Sequence, residues 1–193
     1  AKGLFATLLP MIPLGLVILP FTISFGRDMA DGVTTRFVLF GYRMAKQLVA
    51  KFVSVAILVS LVTVVYCLVL YQVLPLPSMS MLSLANVFAS TMILTAALYL
   101  LSFAIAQVFK GFNMIQGVAM VCYFGIAFLT GSMGTFQLPR TLEKAIEWIP
   151  FAAIRETLKM HWGSNTVTDM QTEWFKLIVF LLITLFLFGL AEF

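Results

Sequence analysis

The sequence predicts an all-α membrane protein, a polytopic bundle of helices whose main solvent is lipid. Composition is the first observation behind this: 62% of the 193 residues are apolar and 10% are charged, against about 45–50% and about 25% in ordinary soluble domains. Mean hydropathy is +1.05, and a folded chain of this size has too little interior to hide so much apolar surface from water. The second observation is the placement of charge. No Asp, Glu, Lys or Arg occurs in 3–26, 52–109 or 177–191, as hydrocarbon demands, since a charged side chain at mid-membrane costs about 3 kcal/mol or more. Together these facts exclude water-soluble enzymes, nucleic-acid binders and secreted disulfide scaffolds. The net charge of +4 sits at helix ends rather than on a basic surface, so no nucleic-acid partner is expected. Cys67 and Cys122 lie inside apolar runs and read as packing residues, neither a disulfide nor a metal pair.

A membrane helix needs about 20 apolar residues to cross about 30 Å. Five stretches qualify, 4–25, 52–74, 81–109, 112–130 and 174–190, within a single transmembrane domain covering 1–193. The first holds Pro10, Pro13 and Pro20, which are expected to kink it. It lacks a small-residue cleavage site and so does not read as a signal peptide. Pro75-Leu76-Pro77-Ser78 makes a tight turn between the second and third stretches, because proline cannot continue a helix and biases its predecessor away from one. Lys110-Gly111-Phe112-Asn113 makes another, with a helix-ending glycine beside a lone cation.

Orientation follows from Lys and Arg, because positively charged loops stay cytoplasmic. Segment 27–51 carries Arg27, Arg36, Arg43, Lys46 and Lys51 against Asp28 and Asp31, whereas 139–176 carries five cations and five acids. The expectation is therefore a multi-pass protein of the plasma membrane, with 27–51 and 110–113 cytoplasmic and 75–80 and 131–173 external. Residue 1 is then external and the C-terminus cytoplasmic, which points to one further upstream helix in a six-helix parent.

Two segments are amphipathic without being long enough to span. In the first, Met29, Val33, Phe37, Phe40 and Met44 recur at i, i+4, i+8, i+11 and i+15, one face of an α-helix over about 28–43. Asp28 and Asp31 fall in its first turn, where the helix dipole favours acids. Such a segment can lie on anionic lipid, or dock into a groove on a cytosolic partner. The second is external, 138–162. Leu142, Ile146 and Ile149 form one short stripe, Pro150 breaks it, and Phe151, Ile154, Leu158 and Trp162 form another. Two short helices joined at Pro150 read as a re-entrant pair or lid at the outer leaflet.

Several chemistries are missing from the sequence. No G-x-x-x-x-G-K-[ST] occurs, so the chain itself has no phosphate-gripping loop. His161 is the one histidine. Gly131-Ser132-Met133-Gly134 invites comparison with an intramembrane serine hydrolase using Ser132 and His161, yet its spacing departs from G-x-S-x-G. The polar residues within the spans are neutral (Thr63, Asn86, Thr91, Thr95, Ser102, Gln107 and Gln116) and are expected to hold helices together. Ala85–Ala89 and Ala127–Gly131 add small-residue packing pairs. Proton- and sodium-coupled carriers keep an ionisable group at mid-membrane; the spans here have none, so uphill movement of a solute requires energy from another polypeptide.

The order of elements resembles the membrane subunit of ABC-2-type (type V) exporters. Arg27-Asp28-Met29-Ala30-Asp31-Gly32-Val33-Thr34 through Tyr42-Arg43 stands at the coupling-helix position, and Gly134-Thr135-Phe136-Gln137-Leu138-Pro139 through Ile149-Pro150-Phe151 resembles the external helical pair. An aspartate replaces the more usual glutamate, and Gly41-Tyr42 stands where Ser/Thr-Pro often ends the coupling helix. The resemblance implies a permease that pairs with a second copy or a homologous permease. It implies docking of a cytosolic ABC ATPase through Asp28, Asp31, Val33, Arg36, Phe37, Phe40 and Arg43, and an external lid of Leu142, Ile146, Ile149, Pro150, Phe151 and Ile154. ATP and magnesium would be bound by the partner and no cofactor by this chain, which is then not an enzyme. Apolar walls and a small external segment favour an amphiphilic cargo such as a hydrophobic peptide, lipid-linked molecule or drug. The alternative from another class is a non-transporting membrane protein, either an assembly or immunity subunit or the enzyme invoking Ser132 and His161.

Overall fold

A computed structural model describes residues 8–9, 11–73, 81–109, 111–129, 139–146 and 170–192. Among these residues there are seven helices and no strand: α1 Met11–Ala30, α2 Val33–Leu39, α3 Met44–Val73, α4 Met81–Val108, α5 Phe112–Leu129, α6 Arg140–Ile146 and α7 Met170–Glu192. Three are long and apolar enough to cross a membrane, α1, α3 and the Leu84–Val108 part of α4. The apolar stretches of α5 and α7 are shorter, Phe112–Phe128 and Phe175–Leu187.

Helix α4 is the centre of the bundle. It packs closely against α1 and α7 and more loosely against α3 and α5, while α1 also lies along α5. Leu94, Ala97, Leu98, Tyr99, Phe103 and Ala106 of α4 are all buried, so this helix is apolar around its circumference, as an interior helix must be. Outward-facing Ile57, Leu61 and Leu68 of α3, Val121 of α5 and Phe186 of α7 are more than two-fifths exposed. An apolar exterior of this kind is what lipid solvates.

Pairwise contacts fix the relative helix directions. Phe21 meets Tyr99 and Phe25 meets Phe103, so α1 and α4 run parallel. Leu48 meets Tyr99 and Ser60 meets Met92, so α3 and α4 run antiparallel. Gly15 faces Tyr123 and Gly26 faces Ile115, making α1 and α5 antiparallel as well. At Gly26 the approach is tight: a Cβ there would sit 3.0 Å from Ile115 Cδ1 and 3.1 Å from its Cγ2. The hydrogen side chain is what lets these two helices close.

Several boundaries differ from the sequence expectation. Helix α1 runs through Pro20 without interruption and continues to Ala30, past the expected end at 25. Helix α3 begins at Met44 rather than 52, because the intervening Lys, Gln, Ala and Leu residues are good helix formers and nothing there stops the helix. At 30 residues it is about 45 Å long, enough to cross the hydrocarbon and project its first two turns beyond it. The buried hydroxyls also differ. Thr91 Oγ1 donates to the Val87 carbonyl, Thr95 to Thr91 and Ser102 to Leu98, all within α4. They satisfy themselves on their own helix rather than bridging to another. Thr63 is buried without a hydrogen-bond partner, as is Thr22, and Gln116 is exposed. Ala85 and Ala89 are exposed rather than packed; Ala127 is buried, and Gly131 lies outside the described residues.

Candidate docking site at the elbow

The elbow between α1 and α3 is built by two glycines. Helix α1 ends where the Asp31 N–H donates to the Arg27 carbonyl at 2.9 Å and Gly32 turns left-handed at φ +67°. Arg36 N–H then bonds back to the Gly32 carbonyl, starting α2. Seven residues later α2 ends in a Schellman motif. Tyr42 N–H reaches the Phe37 carbonyl at 3.0 Å and Gly41 N–H the Val38 carbonyl at 2.9 Å, with Gly41 at φ +84°. The apolar contact that accompanies such a motif is the edge-to-face pair of Phe37 and Tyr42, 6.2 Å between centroids. Gln47 on α3 donates to the Tyr42 carbonyl and braces the turn from the other side.

This arrangement corrects the single helix expected over 28–43. Two left-handed glycines cut it into the end of α1, the short α2, and the start of α3. Met29 and Met44, expected on the stripe with Phe37, instead pack inward against the core from α1 and α3. What remains outside is a hook whose tip is apolar: Leu39 and Phe40 are 80% and 81% exposed, and Phe37, Val38 and Tyr42 are exposed beside them. Arg36 and Arg43 flank this tip and are exposed too.

The expected docking residues therefore divide. Arg36, Phe37, Phe40 and Arg43 lie on the hook's outer surface, Asp31 is exposed in the preceding turn, and Val33 is half-buried. Asp28 faces the bundle, where its carboxylate is ion-paired with Lys51. Val38, Leu39 and Tyr42 were not on the stripe read from the sequence. The signal for them was Gly41, which ends α2 and turns the following aromatic back over Phe37.

Beneath the hook the helices are clamped together. Lys51 Nζ pairs with Asp28 across α1 and α3 and also stands 4.8 Å over the Phe25 ring. Phe25 lies edge-on to Tyr99 and Phe103 at 5.4 and 5.5 Å, and Phe52 lies edge-on to Tyr99 at 5.4 Å. Tyr99 Oη donates to the Leu48 carbonyl at 2.8 Å, joining α4 to α3. Arg27 sits 5.9 Å over the Phe112 ring and draws in α5. Between hook and clamp is a cavity of about 20 Å³ bounded by Met29, Thr34, Gln47 and Lys51 among others, the size of about one water molecule. Ring pairs and a cation over a ring contribute about 0.5–1.5 kcal/mol each beyond their area, and together they tie α1 and α3, which carry the hook's two ends, to α4 and α5.

Of the expected external pair, the described residues show one short helix, α6, its Leu142 N–H bonded to the Pro139 carbonyl and its Leu142 side chain exposed. Ile146 closes it. Ile149, Pro150, Phe151 and Ile154 of the expected lid lie outside the described residues, as do Ser132 and His161. Among the described residues no three His, Cys, Asp or Glu side chains group as a metal site. No protein-family model matches the chain, and no curated protein matches it.

Proposed function

We propose that the chain is the permease subunit of an ATP-driven exporter organised like the ABC-2 type, moving an amphiphilic or hydrophobic substrate out of the cytoplasm. In this reading α1, α3, α4, α5 and α7 are five spans in the plasma membrane, the elbow is cytoplasmic, and α6 belongs to an external lid. A second copy or a homologous permease completes the pathway, and ATP and magnesium are handled by a separate cytosolic ABC ATPase.

One observation carries the reading: an apolar hook, Phe37 to Tyr42, projects from a clamp that ties both of its ends into the bundle. A segment whose only purpose is to connect two spans gains nothing from exposing three aromatics and two aliphatics to water. A partner's groove that receives Phe37, Leu39 and Phe40 buries them, and Arg36 and Arg43 give it a charged rim. Movement of the partner then reaches α1 and α3 together, because Asp28–Lys51 and the Tyr99 bridge leave little slack between them. The stretches 3–26, 52–109 and 177–191 hold no charged residue to couple transport to an ion gradient at mid-membrane, so in this reading the energy enters at the hook.

The test is affinity capture of the full chain from its native membrane in mild detergent, followed by identification of co-purifying proteins. The wild type retains an ABC ATPase with a Walker A motif. Phe37→Asp and Arg36→Glu lose it while still inserting in the membrane; retention by both variants overturns the docking assignment.

A further inference from the structure

The groove beside the clamp is a second site. It runs between α3 and α4, walled by Ala45, Val49 and Phe52 on one side and Ala96 and Leu100 on the other, and encloses about 330 Å³. Small residues at 45 and 96 open it, and the Tyr99–Leu48 hydrogen bond holds the two helices at a fixed spacing across its floor. From Phe52 a shallower trough of about 540 Å³ continues along α3 past Val53 and Ile57 to Val65. From Ala45 to Val65 is about 30 Å of helix, so groove and trough together run from the headgroup level, where the first two turns of α3 lie, into the hydrocarbon. The walls are apolar apart from the Ser60 and Tyr99 hydroxyls, which are hydrogen-bonded to the Ala56 and Leu48 carbonyls, and the nearest exposed cations lie at one end.

That end is positive. Lys46 stands on the same face of α3 as Val49, Val53 and Ile57, at i, i+3, i+7 and i+11. Lys46 and Arg43 are exposed, and among the described residues neither has an acidic partner. The acid next to them in the fold, Asp28, is held by Lys51. An apolar groove with exposed Lys46 next to its lining residue Ala45, and exposed Arg43 just before the same helix, has the complementarity of an anionic amphiphile.

We propose that this groove binds an anionic phospholipid, its phosphate at Lys46 and Arg43 and one acyl chain lying along Val49, Phe52 and Ala96. The chain end, at the bilayer midplane about 15 Å below a hydrocarbon boundary near Lys51, reaches the level of Leu61, which lines the trough. Bound there, the lipid wedges the side of the clamp on which α3 leans and ties its packing to membrane composition. The site needs no ATPase; it shares Arg43 with the docking reading, and its test therefore rests on Lys46 and Ala96, which that reading does not use.

The experiment is native mass spectrometry of the purified full chain in detergent, titrated separately with phosphatidylglycerol and phosphatidylcholine. Two cations near the headgroup, at about fivefold each, give about a 30-fold preference for phosphatidylglycerol. Lys46→Gln reduces that preference to about fivefold, and Ala96→Trp, which fills the groove, removes binding of both lipids at this site without changing helical content. Equal binding of the two lipids by wild type, or an unchanged preference in Lys46→Gln, overturns the proposal. So does a lipid-free dimer cross-linked through position 49, which would make a second copy the occupant.

Discussion

Asp28 and Lys51, 23 positions apart in the chain, meet in an ion pair that closes the elbow between α1 and α3. Both side chains keep roughly a third of their surface exposed (28% and 34%), so the pair by itself contributes no more than about 1 kcal/mol. Its geometry matters more than its charge. By holding Lys51 over Phe25, it links the hook to the aromatic cluster in which Tyr99 joins α4 to α3.

That coupling is measurable by a double-mutant cycle. Asp28→Asn and Lys51→Gln each cost about 0.5–1 kcal/mol of thermal stability, and the double variant costs less than the sum by a similar amount. Strictly additive losses would mean that the two groups do not interact in the membrane.

The close approach of α1 and α5 makes a sharp contrast between two glycines. Gly26→Val forces a side chain into Ile115 and destabilises by about 2 kcal/mol. Gly117→Val, on a position with open space around it, stays within about 0.5 kcal/mol. Equal melting temperatures for the two variants would contradict the α1–α5 packing.

Buried hydroxyls give effects of opposite kind. Thr22→Val and Thr63→Val each stabilise by about 1 kcal/mol, because they remove a buried donor that has no partner. Thr91→Val and Thr95→Val change stability by less than about 0.5 kcal/mol, since the carbonyls they bond keep their helical partners. Loss of stability in Thr22→Val, read by thermal unfolding in detergent, would place an unseen acceptor beside it.

Gly41→Ala tests the Schellman motif. An alanine at φ +84° costs about 1–2 kcal/mol locally, and hydrogen exchange at the amides of Gly41 and Tyr42 accelerates about tenfold or more. Because α2 buries none of its side chains fully, the melting temperature of the bundle moves little. Unchanged exchange at both amides would show that the motif does not hold the hook.

Much of the fold was legible because hydrocarbon imposes a blunt rule. The charge-free stretch 52–109 yields α3 and α4 with only the prolines at 75 and 77 between them, and Gly111 marks the break before α5. Boundaries were less legible wherever polar and apolar helix formers mix: Lys46, Gln47 and Lys51 lie on α3, although the apolar stretch that marks the span begins only at 52. At the hook, periodicity alone strings Met29, Phe37 and Met44 on one stripe, whereas the positive φ at Gly32 and Gly41 depends on backbone geometry that spacing does not record. The clamp was invisible for a different reason. Phe25, Lys51 and Tyr99 come from three helices, and nothing in any one of them names the other two.

The most direct measurement of the central claim is photocrosslinking in the intact cell from the tip of the hook. A benzophenone side chain at Phe40, 81% exposed, should form a covalent product with an ABC ATPase carrying a Walker A motif. The same group at Leu61 on the lipid-facing side of α3 should not. A Phe40 product containing only lipid, with no nucleotide-hydrolysing protein attached, would contradict the account.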